Sequence, residues 1–419
     1  MLHHSIARRR LDRAVLAPLA AILLAGSAPA FALEADGFAA VLKSTLSNQG
    51  ADLTFNAARV DGSNVVLEGA SIGLADVPDP TMRAFFDVLT FENVSETDGG
   101  GYRAERLGAR DVTGELPPMK AGEGQPDRAA TYRIGEWAME GIQLPGPNAT
   151  GQLAELSSAG LFYDRAFIND AEIKVEDQTF VTLESAESVN DYASNPVSFD
   201  ATIDAATIDL SVPPDPEGQM TAWIDGTGYR QLTMDAVTKG SWELDSGTIE
   251  LPEATITLRD MGSLNMEMAF AGYTPALAKQ IQEASQGANS GDAQAQQAAG
   301  MQIMGLMSQL QFGRLILGYQ DSGMADTLLD YYAKENGQTK EELVQQTLAI
   351  LPLMLGQLQA PELQSQVQDA VTAFLNDPQS ITISLKPDAN VPVMALVGAA
   401  MSSPGALAQA LNAQVTANQ

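Results

Sequence analysis

The sequence contains no cysteine at all, and its two histidines are His3 and His4. Past residue 4 there is therefore no disulfide, no thiol nucleophile and no imidazole for proton transfer or metal ligation. Serine nucleophiles lack a histidine partner, and no S-x-x-K stands where a Ser–Lys pair would need it. No cofactor is expected. Aromatics are sparse, at 3 Trp, 9 Tyr and 13 Phe. Basic residues are scarce too, 23 Lys and Arg against 53 Asp and Glu. So acidic a surface repels phosphate backbones and anionic headgroups, and nucleic acid is not an expected partner. After residue 32 no apolar run is long enough to span a bilayer.

What is present begins with a targeting pattern. Arg8, Arg9, Arg10 and Arg13 form a positive region, Ala14 to Gly26 an apolar one, and Ala30-Phe31-Ala32 a small-residue peptidase motif. This predicts a signal peptide over 1–32, cleaved after Ala30 and Ala32 so that the mature chain starts near Leu33. Asp12 after the arginine run favours the general secretory route over twin-arginine export. The mature chain would carry 19 basic and 52 acidic side chains, a net charge of −33. About 387 residues are ample for a core without disulfides. The predicted location is the periplasm.

Residues 33–272 read as an antiparallel β-rich body. After an opening helix (Glu34 to Ser47), Asp61-Gly62-Ser63-Asn64 and Asp98-Gly99-Gly100-Gly101 are hairpin turns between alternating segments. Pro117-Pro118 to Pro126 reads as a loop. Asp225-Gly226-Thr227-Gly228 reads as a turn between strands holding Trp223 and Tyr229. Trp137, Trp223 and Trp242 all lie in strand-like patterns, where packing is their expected role. Neither Asp-Gly turn has the oxygen density of a calcium loop. The clearest segment is Ser241 to Gly272. There Ala254, Ile256 and Leu258, then Leu264, Met266, Met268 and Phe270, alternate with polar residues around Asp260-Met261-Gly262-Ser263.

Residues 273–419 change character and read as a mainly helical portion with one or two strands rejoining the sheet. Pro275 to Ala284 and Met301 to Leu310 have helical spacing, separated by a Gly/Ala/Gln/Ser stretch. Arg314 to Tyr319 and Ile381 to Leu385 are strand-like. Thr339-Lys340-Glu341-Glu342 is a capping box that opens a helix over Leu343 to Leu358, Pro361 opens another, and Ser403-Pro404 a last short one. The fold class is α+β: an extended antiparallel β-meander or sandwich body, then a mainly helical C-terminal portion with returning strands.

The Leu343–Leu358 helix is apolar around most of its cylinder, which predicts burial on more than one side. Met301, Met304 and Met307, with Leu348, Leu351, Met354 and Leu355, define a candidate apolar groove, to which Met394 and Met401 add. Its alternatives are a lining for a lipid-like guest or an ordinary packed core.

Thr255-Ile256-Thr257-Leu258-Arg259-Asp260-Met261-Gly262-Ser263-Leu264 and Phe374-Leu375-Asn376-Asp377-Pro378, leading into Ile381 to Leu385, resemble phrases of the AsmA/YdgA-like envelope proteins of Gram-negative bacteria. The likeness covers the C-terminal half. It implies a long β-rich exported body, linked in some members to outer-membrane homeostasis and lipid transfer, and it transfers no catalytic residue. A cleavable signal in place of a retained anchor departs from that group. The functional expectation is a non-enzymatic envelope protein that binds a hydrophobic ligand or lipid, or an envelope protein partner. The alternatives are a structural or assembly factor with no ligand and a carboxylate-dependent hydrolase.

Overall fold

The computed structural model describes residues 33–48, 50–74, 83–122, 126–152, 163–288, 293–356 and 360–419. The signal segment and its cleavage residues Ala30 and Ala32 lie outside the described residues. Helix α1 (Ala35–Asn48) opens the described chain. Strands β1 (Ala51–Thr54), β2 (Ala57–Asp61), β3 (Asn64–Leu74), β4 (Arg83–Glu92) and β5 (Ser95–Thr97) follow. Longer ones come next: β6 (Gly101–Met119), β7 (Arg128–Leu144), β8 (Arg165–Val175), β9 (Gln178–Asp191) and β10 (Val197–Asp209). Helix α2 (Gln219–Thr227) precedes β11 (Gln231–Glu243), β12 (Thr248–Leu258) and β13 (Gly262–Ala271).

The C-terminal part holds α3 (Pro275–Ala288), α4 (Ala293–Met307), β14 (Gln311–Asp321), α5 (Met324–Glu335), α6 (Lys340–Leu355) and α7 (Pro361–Asn376). It ends with β15 (Ser380–Leu385), β16 (Val391–Pro392), α8 (Val393–Ser402), α9 (Pro404–Ala410) and β17 (Ala413–Ala417). The fold is thus mostly antiparallel sheet, with its helices largely C-terminal.

All the strands belong to one sheet. From β6 to β14 each strand pairs antiparallel with the next in sequence. β15 then pairs β14, and β17 pairs β15 at one edge. At the other edge β3 takes β1 and β2 on one side and β4 on the opposite side. The turns are local chemistry: Gly62, Gly99 and Gly100 hold positive φ of 64°, 81° and 78° in the two predicted hairpins.

Three elements differ from the sequence reading. Pro117-Pro118 lies inside β6 rather than in a loop. On the β7 side the register slips between Leu116 and Met119, and on the other side β6 pairs with β4 only at Arg106 and Leu107. The missing proline N–H groups therefore interrupt no ladder. Trp223 and the Asp225-Gly226-Thr227 segment are helical, in α2. Asp215 accepts from the Thr221 N–H (2.7 Å) and hydroxyl (2.8 Å) near the first turn, and Gly228 ends the helix in a left-handed conformation. The Tyr331 ring lies where a Cβ at Gly226 would be, so a distant side chain decides what Asp-Gly does here. Finally, α6 buries only Val344, and Ile350, Leu353 and Met354 are exposed. It packs along α5 and α7, and among the described residues no further element is packed broadly on its other side.

Candidate apolar binding groove

Residues paired across antiparallel strands project to the same face. Trp137 of β7 pairs Ile168, then Ala186, Ile203, Ala236, Ile256 and Leu264 follow strand by strand to Tyr319 of β14. A parallel row runs Val112, Ile134, Ala171, Leu183, Ala206, Met234 and Leu258. One face of the sheet is therefore apolar from β6 to β14.

The opposite face carries charge. Arg110, Glu136, Arg106, Glu140, Arg165 and Glu187 form a ladder across β6 to β9, with Arg106 at 2.7 Å from Glu136 and 2.8 Å from Glu140. Arg165 also lies over the Phe167 ring at 4.4 Å. The hydrogen bond from Arg110 holds the Glu136 carboxyl below the usual range, with Arg106 adding to it against a cost from desolvation.

A crease crosses the apolar face. Asp111, Asp170 and Ala205 have φ of 50°, 55° and 49°, and in register they alternate with Gly135 and Glu184. At Gly135 the strands approach closely: a Cβ there would stand 3.0 Å from that of Asp170. At the crease the alternation slips by one, so Trp137 and Ile134, or Ile168 and Ala171, share a face though three apart. Hydrogen bonds from the polar side hold the distortion. Asp235 accepts from the Ala205 N–H (2.9 Å) and takes two bonds from Arg259 (both 2.7 Å), and Arg133 reaches Asp170 at 2.7 Å.

Helices close both ends of this face. On α1, Phe38 meets Phe91 and Tyr102 edge-on at 4.8 and 5.4 Å. On α7, Phe374 meets Tyr319 at 6.1 Å. Burial, with a hydrogen bond to Asp321, pushes the Tyr319 hydroxyl well above its ordinary value. Between these ends, among the described residues, no helix is packed broadly on β8 to β13. Ile168, Ile208, Ile256 and Leu264 are exposed in consequence.

One end of the open face holds a groove of about 880 Å³. β4 stays bonded to β3 along its length but leaves β6 upstream of Phe91. Its Phe86 then faces Trp137, with the two rings 6.4 Å apart, and Phe85, Ile134 and Ile168 are among the other residues that line the groove. That volume is within the range of small-molecule sites, ~300–1,000 Å³. Glu115, Arg133 and Glu172 line it only from strand positions that alternate with the apolar row, so their side chains turn to the polar face. The Thr179 hydroxyl, at 2.6 Å, and then Lys174 hold the Glu172 carboxyl below the usual range, so it is ionised. The arrangement can desolvate an apolar chain.

The sequence-predicted set lies elsewhere. Met301 and Met304 are exposed on α4, and Met307 is half-buried there. Leu348, Leu351 and Leu355 are half-buried on α6, whereas Met354 is exposed. Among the described residues no broad packing joins α4 to α6, and none of these residues lines the groove. Sequence reading missed Phe85, Phe86 and Trp137 as a site. The available signal was the doubled aromatic in Arg83-Ala84-Phe85-Phe86-Asp87-Val88, which breaks strand alternation and marks apolar side chains on both faces. Among the described residues no cluster of His, Cys, Asp and Glu could hold a metal ion.

Comparison with known proteins adds one match. A family model described as "Uncharacterized protein" matches residues 255–418. No curated protein matches the chain.

Proposed function

We propose that this chain is an exported, non-enzymatic envelope protein that holds a hydrophobic, acyl-chain-bearing ligand on the open apolar face of its sheet, seated in the Phe85–Trp137 groove. The carrying observation is that an uninterrupted apolar row from Trp137 to Leu264 has no covering layer among the described residues, where a soluble protein ordinarily buries such a face. Export through the Ala30–Ala32 motif to the periplasm is part of the proposal, supported by the Arg8–Arg13 cluster and the apolar segment after it. So is the resemblance of residues 255–264 and 374–385 to AsmA/YdgA-like proteins.

The test is native mass spectrometry of protein purified from its own envelope, beside a Phe85→Asp variant. Phe85 is 67% exposed, so the variant folds. Expected is a bound apolar molecule in the parent and at least a roughly tenfold loss in the variant, the effect of removing a ~1.5–3 kcal/mol apolar contact. A parent without any bound molecule, in a stable complex with another envelope protein, would replace this reading with the assembly-factor one.

A further inference from the structure

Charge is distributed unevenly along this acidic chain. Residues 293–313, 343–361 and 389–419 contain no charged side chain. These segments include α4, all but the first turn of α6, α8 and α9. Each of the three longer helices also presents a narrow apolar stripe to solvent: Met301 and Met304 on α4, Ile350, Leu353 and Met354 on α6, Val397 and Met401 on α8. The spacings are three and four, so each set is one helical face. Leu353 is 79% exposed and Met401 84%.

The topology brings an end of each of the three helices to one end of the sheet. Leu315 of β14 pairs Leu385 of β15, which pairs Ala413 of β17, so Gln311 and Ala413 mark the same end. Helix α4 runs into Gln311, and the Leu310 carbonyl after it accepts from the N–H of Val393, the first residue of α8. Helix α7 lies along β17 in a defined direction. Its Ala373 carbonyl takes a bond from Asn418, while Gln366 takes one from the N–H of Val415. Its first residue, Pro361, is a further ~7.5 Å along at 1.5 Å per residue, toward Ala413. Leu353 and Met354 precede Pro361 by less than ten residues, so the tip of α6 is at that end too.

We infer that this end is a membrane-docking surface that inserts Leu353, Met354, Met301 and Met401 into the headgroup–acyl boundary of a bilayer poor in anionic lipid. The charge pattern selects the occupant. The rest of the chain is repelled by anionic lipid, and the uncharged end is where a neutral headgroup layer can be approached without that cost. Past the first turn of α6, the polar positions on these helices are Gln, Thr, Ser and Gly, as suits insertion driven by apolar burial rather than by lysines. The exposed set has no Trp, Tyr or Arg, the residues that anchor protein partners most often. At 15, 16 and 10 residues, with none of the described helices long and apolar enough to cross, the three lie in the interface. The inference is independent of the ligand reading, which concerns the face of the sheet.

The test is co-flotation of the purified protein with small phosphatidylcholine vesicles, and with vesicles containing phosphatidylglycerol, at low and high salt. The comparison is a Leu353→Asp/Met401→Asp double variant, whose exposed positions leave melting temperature unchanged. Expected is binding to the neutral vesicles that is insensitive to salt, weaker binding to the anionic ones at low salt, and loss of at least about tenfold in the variant. The variant's bound-ligand content by mass spectrometry should match the parent's, which separates docking from carrying. Flotation equal in parent and variant would overturn the inference and assign binding to another segment, such as Ala14 to Gly26. So would absence of flotation together with a dimer that the double variant dissociates, which would give this surface to a second copy.

Discussion

Ala205 is the residue on which the middle of the sheet turns. Its φ of 49° puts a side chain in the left-handed region, at a cost of roughly 1–2 kcal/mol, and Asp235 holds it there through its N–H. Glycine removes the steric cost but adds ~0.5–1 kcal/mol of chain entropy. Ala205→Gly should therefore raise stability by up to about 1 kcal/mol, read as a higher urea midpoint with unchanged slope. A fall in the midpoint would mean that the methyl group packs more than it strains. The crease explains why alternation alone misleads at this residue scale. Ile203 and Ala206 read as opposite faces in the sequence, yet the positive φ between them puts both on the apolar side.

Among the elements, α6 shows most clearly what local chemistry decides. Its capping box is formed as the sequence predicts, with the Thr339 hydroxyl accepting from the Glu342 N–H (3.2 Å) and the Glu342 carboxylate from the Thr339 N–H (2.9 Å). Thr339→Ala should cost ~0.5–2 kcal/mol, and thermal unfolding beside Thr339→Ser, which keeps the oxygen, checks it. Helix starts, hairpin turns and the Leu264–Phe270 strand were legible because neighbouring residues determine them. Three things were not. Helix α2 depends on Tyr331, more than a hundred residues away, standing over Gly226. The solvent side of α6 depends on how few layers the molecule has, which apolar composition does not encode. The groove depends on β4 leaving β6, an event between two strands whose individual patterns both look ordinary.

At the scale of the whole molecule, charge and pairing oppose each other. A net charge of −30 favours expansion, and protonation on mild acidification relieves it. Against that, Glu136, Glu172 and Asp235 have folded values lowered by Arg110, Thr179 and Arg259 respectively. Lowered folded values contribute stability that is complete above the unfolded carboxylate range of about 4 and is lost as pH falls through the folded values. The urea midpoint should thus hold or rise from pH 7 to about 5, then fall steeply below about 4. In the Arg110→Ala variant the acid limb should be shallower, because Glu136 then titrates nearer its ordinary value.

The strand order carries a mechanical consequence. Among the described residues, from β7 to β13 each strand is bonded only to its neighbours in the chain, with β1 and β2 at one edge and β17 at the other. A load applied between residues 34 and 419 would meet the hydrogen bonds a strand at a time, as in a zipper, and never a whole ladder in shear. Single-molecule extension should give many small yielding events, each releasing one or two strands at ~3.3–3.6 Å per residue, at low force. A single abrupt rupture would show that the helices at the two ends, and not the sheet, bear the tension.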